Sequence, residues 1–154
     1  MGVIAAGTHA PAFSLARYGG GKFTNADLAG QTTVLVFYPF AFSPVCTDQL
    51  QIYNEVLPDF AAQGATLYGV SCDATHAQEA FRRQLGVDIE QLSDFEPKGK
   101  VCQAFGVLHP GGFPQRALVI VGPDGVVTWS YEAPSPGDLP GANLIFDGLA
   151  AVAR

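Results

Sequence analysis

Residues 33–38, Thr-Val-Leu-Val-Phe-Tyr, constrain the fold of this chain more than any other stretch. A strand alternates its side chains between two faces, so a run this apolar needs cover on both sides. It predicts a central strand sandwiched between helical layers. Pro39 ends it. After a short connection, Ser43-Pro44 predicts a helix start, with serine as N-cap and proline at the first helical position. That helix is expected to run to about Gln63, with Leu50, Tyr53, Val56, Leu57 and Phe60 on its apolar face and Gly64 closing it. Pro58 lies inside it and predicts a kink or an early break.

The remaining elements follow from similar signals. Gly19–Gly21 reads as a hairpin turn joining residues 12–16 to 22–24. Residues 65–71 form a second buried strand, and residues 75–85 an amphipathic helix with Thr75 and Gln78 in capping-box positions. A short helix is expected over residues 100–105. Residues 116–121 and 126–131, linked by Gly-Pro-Asp-Gly, predict an antiparallel hairpin. A last helix covers residues 142–152. The stretch 86–95 carries no clear period. Strand, helix, strand, helix, hairpin and helix make an α/β fold with a mixed central sheet, the thioredoxin-like order, with an N-terminal β-hairpin.

Composition narrows the function. The chain has 154 residues, 48% apolar and 14% charged, and fits one globular domain over residues 1–154. A net charge of −6 argues against nucleic acid or an anionic membrane as partner. The strongest apolar stretches are strand-sized, too short to span a bilayer. Residues 1–10 lack a basic segment followed by an apolar run, so no signal peptide is expected and the cytoplasm is the expected compartment.

Three cysteines, Cys46, Cys72 and Cys102, with no Cys-x-x-Cys pair, do not make a secreted disulfide framework. Scattered cysteines usually pack as small hydrophobes, and Cys46 is the candidate exception. A thiol attacks only as its thiolate. In the first turn of a helix, the unpaired amides and the positive dipole end favour that anion. The position also follows the C-terminal edge of a central strand, where ligands bind in open α/β sheets. Arg116 opens an apolar run, and a charge there needs a partner or a task. It either stabilises the Cys46 thiolate and a leaving alkoxide, or pairs with an acidic residue at the sheet edge. The Ser43 hydroxyl either meets what Cys46 attacks or simply caps the helix.

Together these residues identify a family. Residues 38–47, Tyr-Pro-Phe-Ala-Phe-Ser-Pro-Val-Cys-Thr, resemble the peroxiredoxin signature Pro-x-x-x-Thr/Ser-x-x-Cys with no mismatch in spacing. Ala-Pro-Ala-Phe-Ser-Leu at 10–15, Gly-Val-Ser at 69–71, Ala-Phe-Gly-Val at 104–107 and Arg116 before a strand also resemble that family, in its order. The short C-terminus and Ser-Asp-Phe-x-Pro-x-Gly at 93–99 are most similar to its one-cysteine alkyl hydroperoxide reductase E type. The resemblance implies a thiol-dependent peroxidase acting on hydrogen peroxide and organic hydroperoxides through a sulfenic acid, in antioxidant defence. In it Pro39 would shield the thiolate from water, Ser43 would hydrogen-bond the peroxide, Cys46 would attack the terminal oxygen, and Arg116 would orient Cys46 and polarise the O–O bond. No metal, haem or flavin cofactor is implied.

One position departs from the pattern. Many relatives carry glutamate three residues after the cysteine, where this chain has Gln49. An amide still accepts a hydrogen bond from Arg116, but one charge is gone. The position of a common resolving cysteine holds Gln51. Core packing is therefore expected for Cys72 and Cys102, and an external thiol as reductant. Cys72-Asp73-x-x-His76 offers metal-ligand types, but a further ligand at recognisable spacing is missing. Finally, Phe40, Phe42 and Phe113 gather large apolar side chains around the Cys46 loop. Such a patch suits a two-fold contact, so a homodimer with Phe40 or Phe42 near its interface is expected, as the resemblance also implies.

Overall fold

Residues 2–152 are described by a computed structural model. Seven strands share one sheet: β1 (Ser14–Arg17), β2 (Lys22–Thr24), β3 (Thr32–Phe37), β4 (Ala65–Ser71), β5 (Glu90–Ser93), β6 (Ala117–Val121) and β7 (Val127–Glu132), in spatial order β2-β1-β5-β4-β3-β6-β7. β3, β4 and β5 run parallel, while β1 and β6 join them antiparallel, so the sheet is mixed. Five helices complete the fold: α1 (Pro44–Glu55), α2 (Leu57–Ala62), α3 (Thr75–Leu85), α4 (Lys100–Ala104) and α5 (Ala142–Val152).

β3 lies central and buried on both faces, as its sequence requires. Leu35 and Phe37 join a core with Phe13, Val101, Phe105 and Val119 on one side. Val34, Val36 and Tyr38 join Leu50, Phe60, Phe81 and Ile145 on the other. The second face carries α1, α2, α3 and α5, whereas α4 covers the first. Burial of each large side chain contributes about 1.5–3 kcal/mol. Truncating Leu35 to alanine would cost about 3 kcal/mol, because the site is closed on all sides.

The break near Pro58 is real. α1 ends at Glu55, Val56 interrupts the helical geometry, and α2 restarts at Leu57 with proline in its first turn. Where the chain leaves α3, Gly86 takes a left-handed conformation (φ 68°) and donates its amide to Arg82 and Arg83 carbonyls.

One local expectation is corrected. Thr75 and Gln78 form no capping box: Ala74 is the N-cap and makes no side-chain bond. Gln78 instead turns inward and donates to Ser71 Oγ and to the Leu92 carbonyl, both at 2.8 Å. The unassigned stretch 86–95 holds β5, which extends the parallel set and links the N-terminal hairpin to the sheet. A 3-10 turn, Asn25–Leu28, also goes unannounced in the sequence. Its capping box is made by Thr24, which accepts from Ala26, and Asp27, which accepts from the Thr24 amide.

The topology sets up one busy edge. The C-terminal ends of β3 and β4 lie side by side, and Phe37 pairs with Ala117 at the start of antiparallel β6. Whatever follows β3, whatever follows β4 and whatever precedes β6 must therefore meet there.

Candidate active site

The loop after β3 carries the chain from Pro39 to the start of α1. Pro39 is buried, and Tyr38 before it is anchored by donating its hydroxyl to Gln91 Oε1 at 2.6 Å. Gly69 makes room for that glutamine, since a Cβ there would sit 2.4 Å from its Oε1. The Asp73 carboxylate accepts from the Ala41 amide at 2.8 Å and ties the loop to the end of β4. Phe42 is held at a φ of 70°, a left-handed conformation that a bulky residue adopts at a cost of about 1–3 kcal/mol. Its ring packs on Phe81 at 5.2 Å. That reversal delivers Ser43 as N-cap and Pro44 as first helical residue.

Ser43 does not cap with its side chain; its hydroxyl donates to the Phe40 carbonyl at 2.9 Å. The first-turn amides of α1 are thus left without that partner, and Cys46 sits in that turn. Cys46 is fully buried, as is Gln49 one turn further on.

Arg116 closes the arrangement. It is 2% exposed, and three of its five N–H groups are engaged. Nη2 donates to Cys46 Sγ at 3.2 Å, Nη1 to Gln49 Oε1 at 2.6 Å, and Nε to the Pro136 carbonyl at 2.7 Å. Among the described residues no carboxylate pairs with this guanidinium. A buried cation surrounded by dipoles has one place for a matching negative charge, the sulfur of Cys46.

Behind this pair runs a further chain of hydrogen bonds. Gln49 Nε2 donates to the Tyr53 hydroxyl at 3.1 Å, which donates to the Pro140 carbonyl at 2.6 Å. Burial pushes the Tyr53 phenol up to about 12, so it remains a donor at any physiological pH. Sequence reading took Tyr53 for an apolar-face residue. The available signal was its position one helical turn after Gln49, on the same face.

A cavity of about 270 Å³ opens beside the pair, lined by Pro39, Phe40, Ser43, Val45, Phe113 and Arg116 among others. The guanidinium thus has one side on sulfur and the other on space for a small substrate. All four residues singled out from the sequence gather here: Pro39, Ser43 and Arg116 line the cavity, and Cys46 lies behind Arg116. The Cys72-Asp73-x-x-His76 set does not converge: His76 is exposed and meets the Tyr18 ring edge-on at 5.7 Å.

Comparison with known proteins gives the family. Residues 6–130 match the AhpC/TSA family. The chain is 30% identical to alkyl hydroperoxide reductase E of Mycobacterium tuberculosis over 148 residues, covering 95% of this chain and 96% of that protein. Its fold matches Enterococcus faecalis AhpC with a TM-score of 0.88 at 24% identity, over 99% of this chain and 93% of that one. Peroxiredoxin Q of Xanthomonas campestris superposes with a TM-score of 0.76 at 27% identity, over 92% and 89% of the two chains. Matching that family over most of its length, and alkyl hydroperoxide reductase E almost end to end, the chain belongs to the AhpC/TSA family of thiol-dependent peroxidases, the peroxiredoxins.

Proposed function

We propose that Cys46 is the sulfur that reduces hydroperoxides, with Arg116, Ser43 and Pro39 as its supporting residues. The observation that carries this is the buried Arg116 guanidinium, which donates to Cys46 Sγ and, among the described residues, pairs with no carboxylate. The Cys46 thiolate attacks the terminal oxygen of hydrogen peroxide or an organic hydroperoxide. The O–O bond breaks, its electron pair leaves on the alkoxide, and a proton completes water or alcohol, leaving Cys46 as sulfenic acid. The two remaining Arg116 N–H groups are available to the departing oxygen as charge grows on it. The Ser43 hydroxyl, which now donates to Phe40, keeps its lone pairs for the peroxide O–H. Pro39 forms the wall that keeps water from the sulfur.

An external thiol, from a small molecule or a thioredoxin-like protein, then condenses with the sulfenic acid, releasing water, and a second thiol frees Cys46. Three free thiols suit a reducing compartment such as the cytoplasm. Stopped-flow mixing of reduced protein with one equivalent of peroxide tests the reading. It requires rapid single-turnover consumption with the new oxygen mapped to Cys46; consumption without modification at Cys46 would overturn it.

Assembly belongs to the same proposal. Phe40 and Phe42, in the loop before Cys46, are each 48% exposed; Phe40 lines the cavity and packs on Phe113 at 4.9 Å. Two-fold pairing through this patch would bury both rings and steady the loop. Sedimentation of the reduced protein at micromolar concentration should show a dimer that Phe40→Ser weakens. A monomer throughout would remove this part and leave the chemistry standing.

A further inference from the structure

Two thiols outside the Cys46 site meet at the same sheet edge. Cys72 directly follows β4, and Cys102 lies in α4. The Asp94 carboxylate accepts from the Val101 amide at 3.1 Å and the Cys102 amide at 2.8 Å, fixing the start of that helix. Both sulfurs and an Asp94 oxygen lie within 4.8 Å of one another. The two sulfurs differ in access. Cys102 is fully buried, whereas Cys72 is 7% exposed and lines a cavity of about 240 Å³ with Pro39, Phe40, Phe95 and Lys98.

We propose that Cys72 and Cys102 form a second redox centre, a dithiol that closes reversibly to a disulfide, with Cys72 as the attacking sulfur and Cys102 as the resolving one. The outer-and-inner arrangement suits those roles: one sulfur can meet a reagent, and the other can meet only its partner. The charged groups around Cys72 are Lys98, Asp73 and Asp94. A hydrogen bond from Cys102 is the main influence holding the Cys72 thiol below the usual cysteine range, with Lys98 assisting and burial and both carboxylates opposing. Cys72 and then burial push the Cys102 thiol far above that range, so the shared proton stays on the inner sulfur.

The chemistry balances with a hydroperoxide as oxidant. Cys72 thiolate attacks the terminal oxygen, the O–O bond breaks, and the alkoxide takes a proton from solvent and leaves as alcohol. Cys102 sulfur then attacks the Cys72 sulfenic acid, its proton joins the departing hydroxide, and water and an S–S bond result. The dithiol loses two electrons and two hydrogens; the hydroperoxide becomes alcohol and water. A structural metal is a weaker fit to the same residues. The Asp94 carboxylate already serves the α4 amides, leaving two sulfurs where a closed zinc site uses four ligands.

The test uses Cys46→Ser protein, reduced, treated with excess hydrogen peroxide and mapped by mass spectrometry without reductant. The expected result is a loss of two hydrogens, with the peptides bearing Cys72 and Cys102 cross-linked and released by dithiothreitol. Adding Cys102→Ala should send Cys72 on to sulfinic acid, and adding Cys72→Ser should leave Cys102 a free thiol. Cys72 reaching sulfinic acid while Cys102 is present, or both thiols staying reduced, would overturn the proposal. If Cys102→Ala does not fold, mapping of the intact pair still decides. Wild-type single-turnover consumption at Cys46 is a separate readout, so failure here and failure of the peroxidase assignment are distinguishable.

Discussion

Cys46, in the first turn of the helix after β3, and Cys72, directly after the neighbouring parallel β4, lie in surroundings that differ in kind. Cys46 faces a buried guanidinium that also donates to the Gln49 amide oxygen and the Pro136 carbonyl. Cys72 faces another thiol, with a carboxylate beneath and an ammonium across a cavity. In the proposed chemistry the first setting would hold a charge on sulfur and leave the oxidised atom to wait for an outside thiol. The second supplies the second sulfur itself. Position on the fold therefore brings sulfur to the working edge, and the neighbouring side chain decides what it does there.

The strongest attempt to break that contrast exchanges sulfur for oxygen. Cys46→Ser should abolish rapid peroxide consumption in stopped flow, while Cys72→Ser keeps the wild-type first turnover. Equal losses from the two changes would erase the distinction. Next comes the cation. Arg116→Met keeps the stem and deletes the donor, and should slow peroxide attack by about a hundredfold or more, the range seen for a preorganised donor. An unchanged second-order rate constant would return Arg116 to a structural role.

Tyr53 sharpens the comparison through pH. Its folded pKa of about 12 lies above the unfolded value of 10.0, so folding favours the protonated phenol. The stability from this residue is fully present below pH 10.0 and is lost as pH rises towards about 12. Between those limits the wild type should lose about 2 kcal/mol more than Tyr53→Phe in denaturant titrations. Matching curves would mean that the Tyr53 phenol is not held in the buried setting described above. The smallest effect is expected from Lys98→Met. It should leave the Cys46 rate unchanged and slow Cys72 oxidation by about two- to fivefold, since its charge is only a supporting influence. A loss at Cys46 would show that the two sites share their electrostatics.

Legibility in the sequence followed how strongly each residue was tied to one environment. Thr33–Tyr38 could only be a doubly covered strand, and Ser43-Pro44 could only with difficulty be anything but a helix start. Pro58 announced its break. β5 stayed hidden because Glu90-Gln91-Leu92-Ser93 has neither period nor apolar run; its glutamine instead serves the Tyr38 hydroxyl across the sheet. Gln78 misled for a related reason. Its amide is used inward on Ser71 and Leu92, a tertiary choice that no local window contains. At the candidate site, the motif and the lone Arg116 were readable as chemistry. Tyr53 was not, because a tyrosine at helical spacing looks like any core residue until its hydroxyl has a partner.

The glutamine at position 49 carries a thermodynamic consequence. With glutamate there, Arg116 would keep a counter-charge whatever happened to the sulfur. With Gln49, the thiolate of the proposed mechanism would be the one neutralising charge among the described residues, and a protonated sulfenic acid would not replace it. Oxidation by that route would strand a buried positive charge, a situation that costs on the order of several kcal/mol unless the surroundings relax. The melting temperature of this protein should fall as Cys46 is oxidised and recover as it is reduced, so the fold itself reports the oxidation state of one atom.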